Sequence, residues 1–179
     1  FEMLKRLELS FDDHFVLKEY CDELNIDFIS TPYDVKSASF LNEELSVKAF
    51  KTASADIVDL PLQSYIASTG KISIISVGMA TLGEIESVYN LYEKSNKSNL
   101  IFLHCVSNYP CSDSSLNLNV IPTLQKCFQV PIGYSDHSIG NTAAIISISL
   151  GARVIEKHLT LDKKLPGPDH LASITPKEF

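Results

Sequence analysis

Two residue pairs, Ser135 with His137 and Glu156 with His158, have the types and spacing to act on one shared ligand. Side chains two positions apart on a β-strand point to the same face, so each pair presents both members together. Neighbouring strands lie roughly 4.8 Å apart, and a metal–imidazole bond is about 2.0–2.1 Å for zinc-like ions. Two histidines on adjacent strand ends can therefore grip one divalent ion and leave positions open for water and a substrate oxygen. Each is equally intelligible as a lone histidine hydrogen-bonded at a loop edge, and spacing leaves both readings open.

Lys51 closes a run otherwise built for burial, Val47-Lys48-Ala49-Phe50-Lys51. It is either a rim residue whose stem is buried and whose ammonium reaches water, or a fixed charge for an anionic substrate. Ser54, Ser76 and Ser135 are ordinary turn formers taken singly. Beside a lysine at one mouth, their hydroxyls would make a cradle for phosphate and carboxylate oxygens. His104 has the opposite parity to Ser107 and Tyr109, so if those two face a ligand, His104 faces away. His14 falls on a predicted surface helix, and His170 follows a Gly-Pro turn with no assigned direction.

Composition removes several functions. The net charge is -7 with scattered Lys and Arg, and a nucleic-acid surface normally needs a basic patch. There is no Walker-type glycine loop and no GxGxxG, so nucleotide binding has little support. Ser135, Asp136 and His137 contain the residue types of a hydrolase triad, but near-consecutive residues seldom orient one another and no nucleophile elbow is present. The longest apolar stretch, about 143–150, is far too short to span a bilayer. Cys21, Cys105, Cys111 and Cys127 are irregularly spaced without a CxxC pair, which favours reduced thiols and a cytoplasmic location.

The elements that must position these residues alternate regularly. Strands are expected at 27–30, 47–51, 72–76, 100–105, 132–135 and 153–158, and helices near 12–24, 35–45, 60–69, 81–95, 116–128 and 139–150. Thr81 and Glu84 fit a capping box, and Gly70 and Gly151 sit where helices should stop. Such alternation means a parallel sheet covered by helices in one domain. An open doubly wound sheet has one crevice, at its switch point. Here nearly every strand ends in polar residues, which a (β/α)8 barrel would bring to a single mouth. A barrel of this kind needs about 250 residues, so 179 residues predict a partial one. The opening Phe1 and the Pro176-Lys177-Glu178 run near the end suggest that both ends are cut.

Five ordered motifs carry a family resemblance. They are Ser30-Thr31-Pro32-Tyr33-Asp34, Lys51-Thr52-Ala53-Ser54-Ala55-Asp56, and Leu103 to Pro110 (LHCVSNYP). Gly133 to Gly140 (GYSDHSIG) follows, then Ile155 to Asp162 (IEKHLTLD) with Pro166-Gly167-Pro168-Asp169-His170. In order and spacing they resemble the N-acetylneuraminate (sialic acid) synthase family, with its legionaminate, pseudaminate and spore-coat polysaccharide relatives. The resemblance covers essentially residues 1–179. It implies a TIM barrel represented by about strands three to eight, with the first two strands and a C-terminal antifreeze-like domain absent.

The resemblance also implies roles. Lys51, Ser54, Ser76, Ser135 and Thr31 would hold phosphoenolpyruvate. His137 and His158 would bind manganese or magnesium. Asp56, shorter than the glutamate common at that place, would handle protons, and Glu156 would lie beside the metal. Ser107, Tyr109 and Asp169 would face an N-acyl-mannosamine-type sugar. The implied reaction joins phosphoenolpyruvate to the sugar aldehyde, adds water and releases phosphate, in a protein that forms a homodimer at full length. The fragment alone is expected to have little or no activity. Another metal-dependent phosphoenolpyruvate-condensing or aldolase barrel, or a non-catalytic sugar-binding module, are the alternatives.

Overall fold

The computed structural model describes residues 2–93 and 99–179, with side chains from residue 5 onward. Its centre is a parallel sheet of β1 (Ala49–Thr52), β2 (Ile72–Ser76), β3 (Leu100–Cys105), β4 (Ile132–Asp136) and β5 (Ile155–Lys157), ordered β1-β2-β3-β4-β5. Each strand pairs with its successor in the chain. The order never reverses, so among the described strands there is no switch point of the doubly wound kind. Sequential parallel pairing is the arrangement of a barrel wall.

Helices fill the connections. α1 (Glu2–Leu7) and α2 (Phe11–Glu23) come first, then α3 (Val35–Ser39), continued by a π-turn over Phe40–Glu44. α4 (Leu60–Ser68), α5 (Leu82–Glu93), α6 (Val120–Cys127) and α7 (Thr142–Ser149) each lie between successive strands. Local chemistry sets their ends. The Asp59 carboxylate caps α4 by accepting from Leu62 N–H, and the Thr81–Glu84 box closes reciprocally at the start of α5. Gly70 (φ +68°) and Gly151 (φ +100°) stop α4 and α7. α6 starts later than the pattern predicts, because Asn117 adopts φ +46° after a 3-10 turn over Asp113–Ser115. Positions 94 and 95 of the helix expected at 81–95 lie outside the described residues. No described helix is long and apolar enough to cross a membrane.

Strand parity separates two environments. Outward residues Ile75, Phe102, Ile132 and Tyr134 pack under the helices with Val88, Ile121, Leu124 and Phe128. Phe50 joins a second cluster with Phe40, Leu41, Leu62 and Ile66. Full burial of each large side chain contributes about 1.5–3 kcal/mol. The inner face is equally tight at Gly133, where a Cβ would lie 2.5 Å from Leu103 Cδ2 and 2.5 Å from the Val154 carbonyl oxygen. Gly133→Ala should therefore cost about 1–3 kcal/mol, read as a lowered midpoint in urea or thermal unfolding.

The structure corrects one expected strand. Residues 27–30 belong to no ladder, so the sheet has five strands rather than six. The segment is held beside β1 by side chains instead. Lys48 pairs with Asp27 at 2.5 Å, and half-buried Phe28 packs against the Phe50 cluster. Phe28 alone of this segment's apolar residues is packed, while Ile29 stays exposed. The start of α2 rests on the same cluster, with Phe11 and Phe40 ring centroids 4.2 Å apart. His14 lies edge-on to Phe28 and Phe40 there, as a packing residue.

Candidate active site

The carboxyl ends of the strands surround one cavity of about 480 Å³, within the usual range for small-molecule sites. Lys51 comes from the third position of β1, Ser76 from the end of β2, and Ser135 and Glu156 face each other across the β4–β5 register. Ser54, Ser107, Tyr109 and His137 follow their strands by one to four residues, and His158 directly follows β5. All of these residues, together with Thr31, line the cavity wall.

Lys51 is the electrostatic centre of one half. Its side chain is 12% exposed, and the ammonium donates to Ser76 Oγ and to the Thr52 carbonyl, both at 2.9 Å. The same ammonium lies 3.6 Å from Glu156 Oε1. That oxygen also accepts a 2.6 Å hydrogen bond from Ser135 Oγ. Ser54 and Ser107 hydroxyls meet at 3.1 Å on the adjoining wall. One ammonium surrounded by hydroxyls is chemistry suited to a small anion with several oxygens.

The other half is aromatic. The rings of His137 and His158 lie 5.3 Å apart, centroid to centroid. Tyr109 covers both, at 4.0 Å from His137 and 5.5 Å from His158. His137 donates Nδ1–H to the Val106 carbonyl at 2.7 Å, since a carbonyl oxygen only accepts. This fixes the tautomer and makes Nε2 the acceptor nitrogen, 3.4 Å from Ser135 Oγ, whose proton goes to Glu156. Burial lowers the proton affinity of His137, against the opposing pull of that carbonyl, so the ring favours its neutral, ligating form. No cluster of three or more His, Cys, Asp or Glu side chains converges among the described residues. Among the described residues, His137 and His158 are the two imidazoles at this mouth that would be offered to a divalent ion.

Two expected site residues stand outside the wall, Asp56 and Asp169. Asp56 lies on a 3-10 turn over Ser54–Val58, where about 120° separates consecutive side chains. With Ser54 facing the cavity, Asp56 is rotated roughly 240° from it. One of its oxygens is buried without a partner. Burial, then Asp59, raises its pKa, while Lys51 opposes the rise. Asp169 is exposed on the loop after β5, its carbonyl accepting from Ala172 and Ser173, and its charge helps burial raise the pKa of Tyr109. His170 on the same loop bonds Thr160 Oγ1 at 2.8 Å.

Six wall residues were not singled out from sequence: Tyr33, Ala53, Ala55, Met79, Cys105 and Lys157. Cys105 shares the parity of Ser107 and was within reach of the same argument. His104 faces the helices as parity predicts, its Nε2 2.8 Å from the Leu116 carbonyl and its ring stacked on Tyr134.

The sequence matches the NeuB family over residues 1–179. It is 46% identical to the N,N'-diacetyllegionaminic acid synthase of Legionella pneumophila, aligning all of this chain with 51% of that protein. The crystal structure of N-acetylneuraminic acid (sialic acid) synthetase from Leptospira borgpetersenii superposes with a TM-score of 0.92 at 41% identity. That superposition covers 97% of this chain and 60% of the other. A truncated 3-deoxy-D-arabino-heptulosonate 7-phosphate synthase from Thermotoga maritima shares the fold, with a TM-score of 0.75 at 15% identity over 94% of this chain and 67% of that one. The five parallel strands are therefore an arc of a barrel, and the chain spans about half the length of the Legionella relative. With the motifs, the strand order and the whole length in agreement, the chain belongs to the NeuB family.

Proposed function

We propose that this chain is the central part of a synthase that condenses phosphoenolpyruvate with the aldehyde of an N-acyl-mannosamine-type sugar, forming a nonulosonic acid and releasing phosphate. The observation that carries the reading is the placement of the Lys51 ammonium and the His137–His158 pair on one cavity. In this reading Lys51, Ser76, Ser54 and Thr31 bind the carboxylate and phosphate of phosphoenolpyruvate. Their charge and hydroxyls neutralise an anion that a protein of net charge -7 would otherwise repel.

His137 and His158 would hold a manganese or magnesium ion, which when bound would supply Lewis-acid polarisation of the aldehyde oxygen. Ser135 and Glu156 stand between the two halves, where Glu156 orients the attacking water and accepts its proton. Asp56 stands outside the wall, so the proton handling expected of it falls to Glu156. Tyr109 and Ser107 face the sugar, and Asp169 reaches it from the outer loop. Tyr33 and Met79 complete the cavity lining.

The chain would supply strands three to eight of the barrel, the first of them only as the unladdered segment 27–30. The full-length protein would be a cytoplasmic homodimer. These residues alone should have little or no turnover, because an arc with two unpaired edges leaves the mouth incomplete.

The test is phosphate release from phosphoenolpyruvate by the full-length protein with manganese and a panel of N-acyl hexosamines, with product masses read in parallel. A nine-carbon keto acid is the expected product. Condensation only with simple aldose phosphates would replace this reading with a different aldolase, and no release with any acceptor would leave a binding module.

A further inference from the structure

The most deeply buried charges in the described chain belong to a pair of side chains behind the cavity wall, although one of the two residues, Lys157, also lines the cavity. On the helix-facing side of the sheet, Lys157 Nζ lies 2.9 Å from Asp136 Oδ2, with side chains 4% and 0% exposed. The same ammonium donates to the Ser138 carbonyl at 2.5 Å, and the Ser138 N–H donates to Asp136 Oδ1 at 2.8 Å. Stability does not explain such a pair. Replacing a buried ion pair with packed neutral side chains is often neutral or stabilising.

Its position is more informative. Lys157 immediately precedes His158, and it grips the residues immediately before and after His137. Asp136 and Lys157 are also the last register partners of β4 and β5, and β5 is only three residues long. Beyond that rung the two histidine-bearing segments have no further ladder to hold their spacing. The Cys111 N–H adds one more tie, to the His137 carbonyl at 2.8 Å. Metal–nitrogen distances tolerate deviations of only about 0.2 Å, so a site of two imidazoles on separate strands needs an external brace.

We propose that Lys157 and Asp136 are positioning residues whose buried bridge fixes the separation of His137 and His158 for a divalent cation. The inference rests on the two-imidazole reading of that pair. Neither side chain touches substrate, so the bridge acts through the histidines alone.

The test uses the full-length protein carrying Asp136→Asn together with Lys157→Met, which removes both charges and leaves no unpaired buried charge, at the loss of the ammonium bond to the Ser138 carbonyl. Manganese binding without substrates is read from the free-ion signal in electron paramagnetic resonance, alongside thermal unfolding. The expected result is a midpoint close to that of the unsubstituted protein with manganese affinity about 10–100-fold weaker. An unchanged affinity overturns the brace. The unsubstituted protein and His137→Ala are measured in parallel. If manganese binds neither, or both equally, the two-histidine reading fails and takes this inference with it. Should the double variant not fold, Lys157→Gln is measured by the same criteria. Failure of both to fold makes the bridge a structural requirement and overturns its positioning role.

Discussion

His158→Ala should weaken manganese binding by more than about 100-fold, exceeding the 10–100-fold typical of partners one layer further out, and should reduce turnover to background. The KM for phosphoenolpyruvate should change little, because Lys51 and its serines lie on the other half of the cavity. Stability should also change little. The His158 ring is half-buried and touches Tyr109 and His137 edge-on, and substitutions at such sites typically stay within about 1 kcal/mol. Isothermal titration with manganese, steady-state kinetics and thermal unfolding separate these effects. A variant that binds manganese as tightly as the parent would remove His158 from the ion's coordination.

Lys51→Met should act on the opposite half and with the opposite signature. Losing the ammonium removes the positive charge from a wall that also holds Glu156, 3.6 Å away. Oriented charged donors of this kind are worth about 10²–10³-fold in rate when deleted. The expected result is a loss of that size in kcat/KM for phosphoenolpyruvate, much of it as raised KM, with manganese affinity near that of the parent. Methionine keeps the length of the stem, so packing against the β1 end is preserved. If kcat/KM fell less than tenfold, the anion would have to be held elsewhere.

Much of the site was legible because strand parity is a rigid rule. Ser135 with His137 and Glu156 with His158 needed only the assumption that both runs were adjacent parallel strands, and His104 was assigned to the helix side by the same rule. Where the chain leaves regular strands the rule lapses. Asp56 turns away because a 3-10 turn advances by thirds, which the motif Lys51-Thr52-Ala53-Ser54-Ala55-Asp56 does not display. Segment 27–30 has a strand's composition, but a ladder depends on what backbone lies alongside, and composition carries no such information. Tyr33 and Met79 reach the cavity from loops, whose paths are set by tertiary contacts. The Lys157–Asp136 bridge was also hidden: parity puts both residues on the helix side, but which charges meet there depends on the β4–β5 register, which the sequence does not display.

The alternation of wet and dry faces along these short strands has an evolutionary corollary. Adding or deleting one codon within β3 would exchange Cys105 for His104 at the cavity and push the other beneath the helices. Length variation among descendants of this sequence is therefore expected in the connections, such as 162–170, and excluded from the strands. The reading frame of the fold, in this sense, is two residues wide.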